Sequence, residues 1–186
     1  MPSTKTNLPL FKALPTAERL CSELADTCER IELAGSIRRQ RSEVGDIEIV
    51  AIPIRCVNLL GDVDDELPTR LEARLGQWER DGRIAITKFG PKMKQFTLKL
   101  SSGIRISVDI SVTTAECWPV ILAIRTGPWQ YSKAFVTQRA KAGLLQNGCH
   151  VSEGRLYQDG RLVELRDERH FFEFVQGGYL PPENRK

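Results

Sequence analysis

The chain has 186 residues, of which 41% are hydrophobic and 27% are charged, and its net charge is +3. This composition is ordinary for a globular protein, with one domain or two small ones that share an interface. No stretch approaches the roughly 18 apolar residues of a membrane helix, and residues 1–12 lack the apolar run of a signal peptide. We therefore expect a cytoplasmic protein with no membrane contact.

Apolar spacing predicts an α+β protein whose two parts meet near residue 114. In the first part the pattern predicts helices starting at Pro15 and covering about 65–79, and strands over 31–34, 46–52, 83–88, 95–100 and 104–112. In the second part it predicts helices over 117–124 and 131–146, a hairpin over 155–165, and a last helix through Val175 that Asp167 can cap. The first part therefore reads as a mixed or antiparallel sheet packed on helices.

The five cysteines do not predict a site of their own. Their number is odd and no pair has Cys-x-x-Cys spacing. A disulfide framework or a structural zinc site is therefore not expected.

Three carboxylates interrupt the predicted strands. Asp46 and Glu48 lie two apart on one strand, so both side chains belong to the same face. Asp109 interrupts an apolar strand, where an acid costs free energy unless it is exposed or liganded. Neighbouring carboxylates repel each other, and two Mg²⁺ ions about 3.5–4 Å apart would satisfy them.

A turn between the first two strands has the composition of a phosphate site. Gly35 lets the backbone approach a ligand, and the Ser36 hydroxyl can bind phosphate oxygens. Arg38 and Arg39 can add charge-assisted hydrogen bonds. Alone, each feature is more typical of an ordinary turn or a solvated surface than of a phosphate site. Together with the acids that follow, they indicate phosphoryl transfer.

Basic residues are concentrated in two segments. No acid occurs between Asp81 and Asp109, or between Glu116 and Glu153. Such segments suit a bound polyanion, although solvated basic faces explain the charge equally well. The candidate DNA-binding residues are Lys92, Lys94, Arg105, Arg125, Lys133 and Arg139.

The segment Gly35-Ser-Ile-Arg-Arg39 followed by Gly45-Asp-Ile-Glu48 resembles the palm signature of the family X DNA polymerases, the DNA polymerase beta group of nucleotidyltransferases. Asp109-Ile110 resembles the strand of the third catalytic aspartate, and Thr126-Gly127 resembles the family's nucleotide-binding turn. The resemblance covers nearly the whole chain. It implies a minimal form, with a nucleotidyltransferase palm over 1–114 (a mixed sheet packed on helices) and a small α/β nucleotide- and DNA-binding subdomain over 115–186.

The resemblance also implies a role for each matched residue. Asp46 and Glu48 would bind both Mg²⁺ ions, for which Mn²⁺ can substitute, and Asp109 would bind the catalytic ion and help deprotonate the primer 3′-hydroxyl. Gly35, Ser36 and Arg39 would hold the nucleotide phosphates, and Gly45 would allow the close approach before Asp46. Thr126 and Gly127 would line the sugar and base. The implied reaction is template-directed gap filling on DNA with dNTPs, by a monomer.

Several positions differ from the family pattern. Glu48 stands where an aspartate is usual, and Ile124-Arg125 replace an aromatic pair. Ser132 and Val136 stand where the family has an Asn and an Arg that read the base pair. Two alternatives therefore stay open: nucleotide transfer to an RNA end, a protein or a small molecule, and a non-catalytic nucleic-acid-binding module.

Overall fold

The computed structural model describes residues 7–58, 60, 62–64, 66–100 and 103–185. The helices are α1 (Leu10–Leu24), α2 (Gly35–Arg38), α3 (Arg70–Arg80), α4 (Trp118–Thr126), α5 (Trp129–Phe135) and α6 (Glu168–Gln176). The strands are β1 (Leu8–Pro9), β2 (Cys28–Leu33), β3 (Glu43–Val44), β4 (Asp46–Pro53), β5 (Ile84–Phe89), β6 (Met93–Lys99), β7 (Arg105–Val112), β8 (Cys149–Ser152), β9 (Arg155–Gln158) and β10 (Arg161–Val163). Single 3-10 turns cover Ala25–Thr27, Arg139–Lys141 and Pro182–Asn184. Among the described residues, no helix has the length and apolar content to cross a membrane.

A five-stranded mixed sheet, in the order β2-β4-β7-β6-β5, dominates the first part of the chain. Strands β4 and β7 run parallel, and the other neighbours are antiparallel. Helices α1 and α3 cover one face, where Leu24 and Leu75 belong to the same buried cluster as Ile47 and Ile49. This is a mixed α+β fold with a mixed sheet packed against helices, which confirms that part of the prediction.

A second apolar cluster lies in the C-terminal part of the chain. Phe135 of α5 contacts Phe171 and Phe172 of α6, with ring centroids 5.6 and 4.7 Å apart. The predicted hairpin is present, and β8 adds a third antiparallel strand to it. The predicted capping of α6 is confirmed, because Asp167 accepts a hydrogen bond from the His170 backbone amide at 2.7 Å.

The first helix begins earlier than predicted. Helix α1 starts at Leu10 and contains Pro15, where the sequence pattern predicts the start. Proline lacks the amide that would bond to the preceding turn. Burial of Ala13 and packing of Leu10 and Leu14 on the core offset that loss.

The predicted helix over 131–146 is wrong. Helix α5 ends at Phe135, and the chain then folds back, so that the Leu144 amide donates to the Ala134 carbonyl at 2.8 Å. This path buries Leu145 completely in the C-terminal cluster. If α5 continued as a helix, Leu145 would not be buried in this cluster. The free energy gained by burying Leu145 therefore favours the loop over a longer helix.

Two glycines provide a test of this loop. A Cβ on Gly143 would lie 1.8 Å from the Thr137 carbonyl oxygen, whereas a Cβ on Gly76 in α3 would have its nearest neighbour at 3.6 Å. We expect Gly143→Ala to lower the free energy of unfolding by about 1–3 kcal/mol. Gly76→Ala should raise it by about 1 kcal/mol, because alanine favours the helix. Urea unfolding measures both, and a Gly143→Ala variant as stable as the wild type would contradict the described loop.

Candidate active site

The three predicted catalytic acids lie on one face of the central sheet. In the parallel pair β4–β7, Glu48 is opposite Asp109 and Asp46 is opposite Ser107. Paired strands are about 4.8 Å apart, so the carboxylates of Glu48 and Asp109 are neighbours. Because Ile47 points to the α1–α3 side, the acids belong to the other face, and all three are partly exposed.

Glu48 is the most constrained of these acids. Its carboxylate lies against Gly35, where an added Cβ would be 1.8 Å from Glu48 Oε2, and Gly35 has a φ of +59°. Burial raises the pKa of Glu48 to about 7, and the charges of Asp46 and Asp109 raise it further, whereas Arg125 and Arg39 lower it. Glu48 therefore lies between two acids and two arginines.

The acids have the chemistry of a magnesium site. Carboxylate oxygens are the ligands that Mg²⁺ prefers, and the pKa of Glu48 is raised first by burial and then by the charge of Asp46. Within the described ranges, no group of three His, Cys, Asp or Glu side chains has the geometry of a metal site. The three acids supply oxygen donors of the kind that Mg²⁺ prefers, but these donors are not gathered around one point, and the Glu48 carboxylate is packed on Gly35.

The predicted phosphate turn forms the one-turn helix α2. Ser36 Oγ and Arg39 Nε are buried and have no hydrogen-bond partner. Burial lowers the pKa of Arg39. Buried polar groups are normally satisfied, so unsatisfied ones are candidates for ligand contact. Gly45, which lies between β3 and β4, separates this turn from Asp46.

Helix α4 packs on the sheet face that carries the acids. Its Trp118 and Leu122 form a buried cluster with Val50 and Ala34. This packing brings the end of α4 to the acids, where Arg125 is close enough to lower the pKa of Glu48.

Thr126, the last residue of α4, is held by the two arginines of the phosphate turn. Arg38 Nη1 donates to Thr126 Oγ1 at 2.6 Å, and Arg39 Nη1 donates to the Thr126 carbonyl. Gly127 follows as the C-cap residue. The structure therefore brings the phosphate turn into direct contact with Thr126, the first residue of the Thr126-Gly127 pair.

Sequence reasoning missed a buried ionic network behind this turn. Glu168 accepts two hydrogen bonds from Arg38 and one from Arg185, all at 2.9 Å. Burial alone would raise the pKa of Glu168, but the hydrogen bonds from Arg38 and Arg185 outweigh it and lower that pKa. Arg185 is fully buried, with its guanidinium 4.2 Å from the Phe172 ring centroid. A clue in the sequence is Glu168 itself, an acid beside the apolar stripe of α6.

Three of the predicted DNA-binding residues have partners within the protein. Lys94 is 2% exposed and its ammonium pairs with Glu72, so it lies in the interior. Arg139 donates to the Leu144 and Val175 carbonyls. Lys92 is exposed and pairs with Glu153.

The other three lie on three different elements. Arg105 is exposed on β7, and Lys133 is exposed on α5. Arg125 lines a cavity of about 880 Å³, which also borders Ser111 at the end of β7 and Arg155 of β9. Arg125 therefore lines this cavity and is also close enough to Glu48 to lower the pKa of that carboxyl group.

Comparisons with known proteins give no family for this chain. A scan against models of known protein families finds no match. A search of curated proteins finds no similar sequence. The chemistry of the site therefore follows from the residues and contacts described above.

The Glu168 network leads to a stability prediction. Removing Glu168 leaves Arg185 as an uncompensated buried charge, so Glu168→Ala should lower the free energy of unfolding by about 3–5 kcal/mol. Glu173→Ala, an exposed substitution in the same helix, should change it by less than about 0.5 kcal/mol. Equal effects of the two substitutions in urea unfolding would rule out a supporting role for the network.

Glu48 makes stability depend on pH. Its pKa is 4.5 ordinarily and about 7 in the folded protein, so between these values the folded state binds more protons than the unfolded chain. Stability contributed by the protonated group is therefore lost as pH rises from about 5 to 7. Without divalent metal, the wild type should lose stability relative to Glu48→Gln between pH 5 and pH 8.

Urea unfolding of both proteins in EDTA measures this difference, because the titrations of groups that do not interact with Glu48 cancel in it. Adding Mg²⁺ at pH 8 should restore the stability of the wild type more than that of Glu48→Gln. A difference that stays constant with pH would contradict the buried position of Glu48.

Proposed function

We propose that this protein is a metal-dependent nucleotidyltransferase with a palm-type sheet, which extends DNA primers as a minimal family X DNA polymerase. The observation that supports the proposal is the parallel pairing of β4 and β7. This pairing aligns Glu48 with Asp109, and Asp46 shares their face. Phosphoryl transfer needs such a set of carboxylates next to phosphate-binding groups.

In this proposal, Asp46 and Glu48 would hold two Mg²⁺ ions and Asp109 would share one of them. When bound, the ions neutralise phosphate charge and lower the pKa of the attacking hydroxyl. Asp109 would accept a hydrogen bond from the primer 3′-hydroxyl and then take its proton. The 3′-oxygen then forms a bond to the α-phosphorus of the nucleotide as the bond to the β-phosphate oxygen breaks and pyrophosphate leaves.

The phosphate turn would hold the triphosphate. Ser36 Oγ and Arg39 Nε are polar atoms that lack a protein partner, and Gly35 carries no side chain that would obstruct the approach. Arg38 would act indirectly, because its hydrogen bonds to Thr126 and Glu168 fix the turn. Thr126 and Gly127 would then lie beside the sugar.

Transfer to an acceptor without a template is the second candidate, and α5 favours it. This helix has only seven residues. Ser132 is buried and its hydroxyl donates to the Ile124 carbonyl, so it is committed to the protein. Val136 is 41% exposed and offers no polar group. Two positions where the family reads the base pair therefore have no group for that purpose.

An extension assay distinguishes the candidates. The protein is incubated with a labelled gapped DNA duplex, Mg²⁺ or Mn²⁺, and each dNTP and NTP separately. Extension only by the complementary nucleotide supports a template-directed polymerase, and extension by every nucleotide supports the untemplated enzyme. Without extension on DNA, RNA and protein acceptors are tested next, and failure on all of them contradicts a transferase.

The catalytic acids lead to a further prediction. Asp46→Asn and Asp109→Asn keep the size of the side chain and remove its charge, so each should lower kcat by about 100-fold or more. Asp81→Asn, at the exposed C-cap of α3, should leave kcat unchanged. Rates of primer extension measure these effects. Activity that survives in the Asp46 and Asp109 variants would assign the chemistry to other residues.

A further inference from the structure

Trp129 is exposed where a tryptophan is usually buried. It is 68% exposed, whereas Trp78 and Trp118 are 4% and 2% exposed. It begins α5, directly after Pro128. An indole in water forgoes the burial of a large apolar area, which makes this ring a candidate for contact with a ligand.

A lysine lies beside the Trp129 ring. Lys133 Nζ lies 5.6 Å from the centre of a Trp129 ring, one helical turn along α5. No acid occurs in the sequence between Glu116 and Glu153. An exposed aromatic face beside a cation suits a base that is attached to phosphates.

Trp129 is also held close to the phosphate turn. It follows Thr126 by three residues, a path of at most about 11 Å, and Thr126 is bonded to Arg38 and Arg39. The Ser132 amide donates to the Pro128 carbonyl at 2.9 Å and the Ser132 hydroxyl donates to the Ile124 carbonyl, so the intervening turn is fixed at both ends. The backbone of Trp129 therefore lies within about 11 Å of Thr126, which contacts Arg38 and Arg39.

We propose that the indole of Trp129 stacks on the base of the incoming nucleotide. This inference rests on the nucleotidyltransferase function proposed above and adds a residue that binds the base. Every base has a π-face, so stacking binds all four with little preference. Base selection would then depend on a template or be absent.

Steady-state kinetics test the proposal in the presence of the gapped DNA. Trp129→Ala should raise KM for the nucleotide by about 5- to 150-fold, the equivalent of ~1–3 kcal/mol per stacked base, similarly for all four dNTPs and with kcat within about twofold. Trp129→Phe should recover most of the affinity. Phe11→Ala is the control, since Phe11 is 72% exposed and also has a lysine near its ring. An unchanged nucleotide KM in Trp129→Ala, or a change only in the KM for DNA, overturns the proposal.

Fluorescence separates this inference from the proposed function. Each dNTP is titrated into the protein with Mg²⁺ and no acceptor. Stacking should quench the emission of the wild type and of Phe11→Ala, and the quenching should be lost in Trp129→Phe. If no acceptor supports transfer but this pattern appears, the proposed function fails and the stacking stands. Equal quenching in the wild type and Trp129→Phe, or none in either, overturns the stacking even where transfer is active.

Discussion

The buried carboxylate of Glu168 holds the two parts of the chain together. A buried charge is tolerated only with partners, and Glu168 has two cationic ones, Arg38 from the phosphate turn and Arg185 from the C-terminal tail. The guanidinium of Arg38 also bonds to Thr126, and Arg41 bonds to the Arg185 carbonyl. One acid thus connects α2, the end of α4 and the end of the chain, so the shape of the candidate site depends on it.

The candidate site combines opposite charges at short range. Arg39 and Arg125 lower the pKa of Glu48, while burial, Asp46 and Asp109 raise it. The balance leaves a carboxyl group that titrates near neutrality, where a modest change in its surroundings alters its charge. The negative charge of the three acids is only partly compensated by Arg39 and Arg125, so a cation that binds to this face would find an attractive site.

Local sequence signals predicted much of this structure. The strands of the central sheet follow from apolar alternation, and the N-cap of α6 follows from Asp167. The shared face of Asp46 and Glu48 follows from strand geometry alone. The register that aligns Glu48 with Asp109 does not, because strand pairing between distant segments has no local signal.

The lack of a local signal for distant contacts also explains which features the sequence did not predict. The ion pair of Arg38 and Glu168 joins residues 130 positions apart, so the sequence around either residue does not predict its partner. The sequence pattern predicts a helix that continues to Gln146, whereas α5 ends at Phe135. The apolar residues before Gln146 fit a helix as well as a loop that folds back. Burial of Leu145 in the finished core decides between them, and that core consists of residues from several elements.

Gly35 shows how tightly the turn and the acids are linked. Its φ of +59° disfavours any side chain, and the Glu48 carboxylate already occupies the space of a Cβ. Over evolutionary time, these two positions are therefore not free to vary independently. A mutation that adds a side chain at position 35 is viable only if the acid moves and the backbone relaxes together, so a lineage that keeps Glu48 in this place is committed to glycine at position 35.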